Sequence, residues 1–347
     1  MSNVREHSTF LLAPRGSVNG PDLDSIPHAG ALILADVFEV RERRRQPSVA
    51  EIVPALARRF LGEIDLGARL PTVRALAREH HSSNSSVHAA IGRLEQGGAI
   101  AVETRGRAGA FLVERSIDRL WAMMKTGPLV IALPLASSPR YEALATAIKQ
   151  LIANAGLEVI LMFVRGSRQR LQAVREGRCH LAAMSSFAAA ELRDAGETVV
   201  MELLPNSYNT GHRVFYVPNG EGVRPIRVVV DRHSADQQLL TALEFAGTQV
   251  VTLPAMGGQI ARLLESGQAD AAVWTIDEMQ TRWPVGVLDR PLSATVRERI
   301  GDRDTRAALV CKSADAAVLR AVCGALDPAQ VERIQLDVLA GRTVPEY

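Results

Sequence analysis

The chain has 347 residues, 47% hydrophobic and 22% charged, which suits two or three globular domains and excludes an intrinsically disordered chain. It contains no apolar run of about eighteen residues, and its start, MSNVREHSTFLLAPRG, lacks the charged-then-apolar pattern of an export signal; a cytoplasmic protein without a membrane partner is expected. The formal net charge of +2 is unevenly spread, with an arginine-rich positive stretch at 41–115, a net acidic stretch before it and a balanced remainder after it, the footprint of a nucleic-acid module beside a neutral one.

Residues 1–47 contain Pro, Gly and the basic run RERRRQ and read as an N-terminal extension, a loose arm or a short helix. SVAEIVPALARRFLGEI follows, with Ile52, Leu56 and Phe60 at helical spacing and Ser48 and Glu51 matching a capping box, although Pro54 would remove a hydrogen bond from a helix beginning there. TVRALAREH forms a short second helix capped by Thr72. In HHSSNSSVHAAIGRLEQGG the small polar cluster makes a turn and N-cap at Ser83 or Asn84. Val87, Ala90, Ile91 and Leu94 then fall on one buried face, and Gly97 and Gly98 stop the helix. AIAVETRGRAGAFLVE alternates about a glycine-rich basic tip and predicts a β-hairpin. Three helices and a hairpin over residues 48–114 define a winged helix-turn-helix, whose third helix would enter a DNA major groove.

The segment resembles the GntR-type winged helix. Leu70, Pro71, Thr72, Arg74, Leu76 and Ala77 match its first part, Ser83, Ser86, Val87, Ala90, Ile91, Leu94, Glu95 and Gly98 its second, and Gly106 and Gly109 its wing. Asn84 and His88 stand where that family usually carries DNA-touching arginines, Ala75 replaces a capping glutamate, and the wing reads GRAG. The resemblance implies double-stranded DNA as a partner, contacted by Thr72, Arg74, Ser83, Asn84, Ser85, Ser86, His88, Arg105 and Arg107, with the arginines acting through phosphates.

Residues 115–128, ERSIDRLWAMMKTGP with the preceding glutamate, read as a partly helical linker able to carry motion. Residues 129–347 alternate short β-rich runs with helices, which predicts α/β layers with a mostly parallel sheet. LQAVREGRCHLAAMSS (171–186) and ARLLESGQADAAVWTI (261–276) echo one another as a helix ending in Gly177 or Gly267, a polar residue three positions on, and an apolar strand, which predicts two lobes with a cleft. The layout resembles a type 2 periplasmic binding protein reused as an effector domain. RGRAGAFLVE, LPLASSPRYEALA, DRHSADQQ, QADAAVW and the terminal PEY together resemble the YhfZ family, a GntR-type helix-turn-helix joined to such a domain.

Ligands of open α/β sheets bind outside the carboxyl ends of strands, at helix N-termini. That rule selects Ser137, Ser138, Arg140 and Tyr141, then Ser185 and Ser186, then Arg232, His233 and Ser234, and Trp274 to Asp277, with SYNTGH (207–212) as a further candidate wall. Arginines and serines at helix starts favour a carboxylate- or phosphate-bearing effector, with Tyr141 or Trp274 covering an apolar part. No nucleophile elbow, HExxH, Walker A loop or strand-linked GxGxxG occurs, so no catalytic residue is expected. Cys179, Cys311 and Cys323 lack CxxC spacing and the eight histidines lack metal spacing, so neither a disulfide, a metal nor a cofactor is expected. The resulting expectation is a homodimeric, ligand-responsive transcriptional regulator. The alternative is a small-molecule-binding protein whose winged helix makes protein contacts.

Overall fold

The computed structural model describes residues 46–218 and 225–347. The expected N-terminal extension, apart from its last two residues, lies outside them. The first helix, α1 (Val49–Gly62), starts where the Ser48 amide donates to the Glu51 carboxylate at 2.7 Å and continues through Pro54. The carbonyl that Pro54 leaves without a donor belongs to Ala50, an exposed residue whose oxygen can turn to water. α2 (Val73–Glu79) and α3 (Asn84–Gln96) follow, joined by a turn in which His81 takes φ +48°. β1 (Ile100–Thr104) and β2 (Ala110–Arg115) form the antiparallel wing, extended by a single bridge from Arg69 to Phe111.

The segment expected to be a linker folds as α4 (Ile117–Met124) and buries Leu120, Trp121 and Met124. The Trp121 indole N–H donates to the Gly127 carbonyl at 2.8 Å. Leu56 and Phe60 of α1, Val87 and Leu94 of α3 and Leu120 of α4 share one hydrophobic cluster with residues of the following domain. At this junction a partly helical spacer is instead a packed element, because its apolar face finds a partner in α1.

The C-terminal part comprises two lobes. Lobe 1 contains β3 (Leu129–Leu133), α5 (Pro139–Asn154), β4 (Val159–Phe163), α6 (Ser167–Arg175), β5 (Leu181–Ser185), α7 (Ser186–Leu192) and β6 (Glu197–Glu202). Lobe 2 contains β7 (His212–Tyr216), β8 (Ile226–Val230), α8 (Ala235–Glu244), β9 (Val250–Pro254), α9 (Gly257–Glu265), β10 (Ala271–Thr275), α10 (Ile276–Gln280), β11 (Leu288–Pro291) and α11 (Ala294–Ile300). The chain then returns to lobe 1 as β12 (Ala307–Lys312), α12 (Ala316–Cys323) and α13 (Pro328–Leu339).

Both sheets have five strands in one pattern, β4-β3-β5-β12-β6 and β9-β8-β10-β7-β11. In each, the strand that has just crossed from the other lobe, β12 or β7, lies antiparallel beside the third strand. The sheets are therefore mixed rather than simply parallel, since a strand arriving from the opposite lobe enters reversed. The sequence echo has a structural meaning. His180 Nδ1 accepts from the Val130 amide at 3.0 Å, and the Asp270 carboxylate accepts from the Arg227 amide at 2.8 Å, each tying the third strand's entry to the second strand of its own sheet, β3 or β8. Gly177 and Gly267, at φ +73° and +67°, make the preceding turns.

Candidate functional site

Two surfaces carry chemistry. On the winged helix, Thr72 and Ser83 act as N-caps. The Thr72 hydroxyl accepts from the Ala75 amide at 3.2 Å and the Ser83 hydroxyl from the Ser86 amide at 3.0 Å, with further hydroxyl bonds from Ser83 to Ser85 and Ser86 at 2.8 Å. The serine cluster thus closes the turn. Asn84, Ser85 and His88 are left exposed on the starting face of α3, where a β-carbon added at Gly92 would meet nothing. Arg74 is exposed on α2 and Arg107 at the wing tip. Arg105 lies 4.6 Å from the Phe111 ring centroid and bonds Glu103 at 2.7 Å, a pair that holds the Glu103 carboxyl below its usual range.

The second surface is a cavity of about 310 Å³ between the lobes. Of the residues selected by the strand-end rule, Ser137, Tyr141, Ser234, Trp274 and Thr275 line it. Ser138 is buried as the N-cap of α5. Arg140 donates to Asp277 at 3.0 Å and to the Asn206 carbonyl at 2.6 Å, tying α5 to lobe 2. Ser185 caps α7 and bonds Asp236 of the other lobe. Ser186 is buried outside the cavity lining, and Arg232 is exposed outside it. Of SYNTGH, Tyr208, Asn209 and His212 reach the wall.

The strand-end rule missed several of the most buried polar groups. Arg170 projects from α6 and donates to the Ala183 carbonyl at 2.7 Å, the Val164 carbonyl at 2.8 Å and the Tyr208 hydroxyl at 2.8 Å. The Tyr208 ring stands edge-on to that of Tyr141, with centroids 5.2 Å apart. Burial pushes the Tyr208 phenol up to about 12 and that of Tyr141 well above its usual value. Arg165 reaches across the cleft to Asp231 with contacts of 2.5 and 3.2 Å. Ser137 bonds Glu278, and the Ala235 amide donates to Ser167 at 3.1 Å. The Arg165–Asp231, Ser137–Glu278 and Ala235–Ser167 contacts each join lobe 1 to lobe 2, so the lobes are closed on one another.

The hinge consists of the two chain crossings. The Tyr208 amide donates to the Thr305 carbonyl at 2.9 Å, and the Asn209 side chain to the Asp304 carbonyl at 3.0 Å. The Asp304 carboxylate bonds both the backbone amide of His212, at 3.2 Å, and its Nδ1, at 2.8 Å. Burial alone would push the His212 imidazolium down. The adjacent Asp304 carboxylate outweighs it, with help from Asp236 and Glu278, and the net shift is upward.

A winged helix built into the first lobe of a two-lobed, cleft-bearing α/β domain defines a helix-turn-helix protein with a two-lobed C-terminal domain. The chain belongs to the YhfZ family: the model of the YhfZ C-terminal domain matches residues 117–347, and a helix-turn-helix domain model matches residues 65–112. The YhfZ protein of Escherichia coli K12 is 29% identical over 297 residues, 85% of this chain and 96% of that one. The crystal structure of YhfZ from Shigella flexneri superposes with a TM-score of 0.56 at 24% identity, covering 67% of this chain and 98% of that one. The periplasmic aliphatic sulphonate binding protein SsuA of Escherichia coli gives a TM-score of 0.44 at 18% identity over 62% of this chain and 75% of its own. Among the described residues no helix is long and apolar enough to cross a membrane, and no cluster of three or more metal-ligating side chains occurs.

Proposed function

We propose that this chain is a cytoplasmic, non-enzymatic transcriptional regulator that binds double-stranded DNA as a homodimer and senses a small molecule in the interlobe cleft. The observation that carries this reading is that α3 presents an exposed polar start while the opposite side of the winged helix joins the core of lobe 1. A dimer would set two copies of α3 roughly 34 Å apart, one DNA turn. Thr72 and Ser83 hold the helices in place, Asn84, Ser85, Ser86 and His88 face base edges, and Arg74, Arg105 and Arg107 meet phosphates.

Ligand acts through the lobes. A bound molecule shifts DNA binding only if it favours one lobe arrangement over another. With α4 packed against α1, the element that moves relative to the winged helix is lobe 2. Of the arginines expected to meet a carboxylate or phosphate, Arg140 is engaged by Asp277 and Arg232 lies outside the lining; Arg165, which does line it, is paired with Asp231, and Asp236 and Glu278 add carboxylates to the wall. A polar ligand that is more than a simple anion fits this lining better.

The test is titration of the full chain against the DNA upstream of its own gene and an unrelated fragment of equal length, at several salt concentrations. A preference of more than about a thousandfold with a steep salt slope supports specific regulation. Equal or no binding assigns the winged helix to protein contacts instead.

A further inference from the structure

Two carboxylates in the cleft have only neutral hydroxyls as hydrogen-bond partners. Arg165 is matched by Asp231, and Arg170 donates to two carbonyls and a phenol, none of them a carboxylate. The two carboxylates line the cavity. Asp236, only 5% exposed, bonds the Ser185 hydroxyl, and Glu278 bonds the hydroxyls of Ser137 and Thr275. Hydroxyls are weak compensation for a desolvated carboxylate, so burial raises both groups above the usual carboxyl range, and the positive charges nearby, His212 for both, Arg170 for Asp236 and Arg165 for Glu278, offset this only in part.

Beside Asp236 on α8 is a second, independent sign. Gln237 is 1% exposed and lines the same cavity, and its Oε1 accepts from the Asp231 amide, which fixes the orientation of the side-chain amide. The buried Nε2 has no hydrogen-bond partner. A buried donor left unmatched is costly and calls for an acceptor from outside the chain.

We propose that the cleft takes a small polar molecule carrying a protonated amine beside an oxygen acceptor, the amine facing Asp236 and Glu278 and the oxygen receiving the Gln237 amide. The edge-on Tyr141 and Tyr208 rings form an adjoining wall that suits an amine-bearing carbon skeleton. This deepens the reading of the cleft as the effector site and depends on that reading for the location alone.

The experiment uses the full chain and measures the thermal midpoint and calorimetric affinity with probes matched in shape: glucosamine against glucose, serine against glycerate, and ethanolamine against ethylene glycol. The expected result is a saturable response to the amine of at least one pair, with its twin roughly tenfold weaker or inactive. Asp236→Asn and Glu278→Gln keep side-chain shape and are expected to retain or raise the ligand-free midpoint while abolishing the amine response. Gln237→Glu keeps the acceptor for the Asp231 amide but removes the unmatched donor, and is expected to weaken the same probe; it provides a test should either neutral variant fail to fold. Equal responses within every pair, including none, overturn the proposal, as does a preference for glycerate or an amine response unaffected by the substitutions. DNA titration in parallel separates the two readings. Amine binding without DNA binding leaves this assignment intact and removes the regulator.

Discussion

Gly62, the last residue of α1, sits against Val318 near the start of α12, and a β-carbon at Gly62 would come within 2.8 Å of the Val318 amide nitrogen. The atom in the way is backbone, so it cannot swing aside. Arg58 of α1 reinforces the seam by pairing with Asp315 and donating to the Ala314 carbonyl at 3.1 Å. Gly62→Ala is expected to cost about 1–3 kcal/mol through overpacking and to loosen the winged helix from lobe 1. Limited proteolysis between α4 and β3 should become faster. Unchanged stability and protease resistance would show that the seam adjusts without cost.

The buried His212–Asp304 pair gives the hinge a pH dependence. The pKa of folded His212 lies above its ordinary 6.5, so the stability from its protonation is fully present below that value and is lost as pH rises through the folded value. Asp236 and Glu278 are also raised, so their contribution falls in the same direction, beginning from the ordinary carboxyl range. Urea midpoints are therefore expected to decline from mildly acidic to alkaline pH. His212→Asn should flatten the upper part of that decline and Asp236→Asn the lower part. Asp304→Ala leaves the imidazolium without its carboxylate and is expected to cost about 3–5 kcal/mol at acidic pH. A midpoint that rises with pH through neutrality would contradict the assignment.

The elements were more legible than their partners. Helical spacing at Ile52, Leu56 and Phe60 and the small polar cluster at 82–86 gave the winged helix because capping and periodicity are local. The echo at Gly177 and Gly267 likewise revealed two related lobes. The strand-end rule selects Ser137, Tyr141, Ser234, Trp274 and Thr275, which lie on the cavity wall, and Arg232, which does not, whereas the neighbouring Asp231 does. Arg170 was hidden because, in SRQRLQAVR, a buried arginine looks like the exposed ones beside it. Its partners, the Ala183 carbonyl and Tyr208, are brought together only by tertiary structure. Asp304 was hidden for the same reason, as it meets His212 only through the second crossing.

One glycine stands at a close backbone approach between the lobes. Gly166, at φ +76° before α6, faces the β8–α8 loop so closely that a β-carbon would lie 2.4 Å from the His233 carbonyl oxygen. Gly166→Ala combines a strained backbone with a clash across the cleft. It is expected to hold the lobes apart while leaving each lobe's own core intact. Small-angle scattering should show a larger radius of gyration, and any ligand-induced rise in thermal midpoint should shrink. A variant that is as compact and as ligand-responsive as the parent would show that closure tolerates the added carbon.

The proposed DNA contacts divide into two kinds with different signatures. Arg107, exposed at the wing tip, is placed for phosphate, so Arg107→Ala should weaken all fragments alike and lower the salt slope by about one. Asn84 and His88 occupy the exposed start of α3, so replacing either with Ala should change the preference among sequences by about 1–3 kcal/mol at one position of the site while leaving the slope nearly unchanged. Ser83→Ala differs from both. Loss of the cap would destabilise the helix start by about 1 kcal/mol and weaken binding only through the fraction of chains with a frayed α3, an effect that should grow with temperature. Fluorescence anisotropy across salt and temperature distinguishes the three. Equal losses on every fragment for Asn84→Ala and His88→Ala would remove α3 from base readout and leave the wing arginine as the main DNA contact.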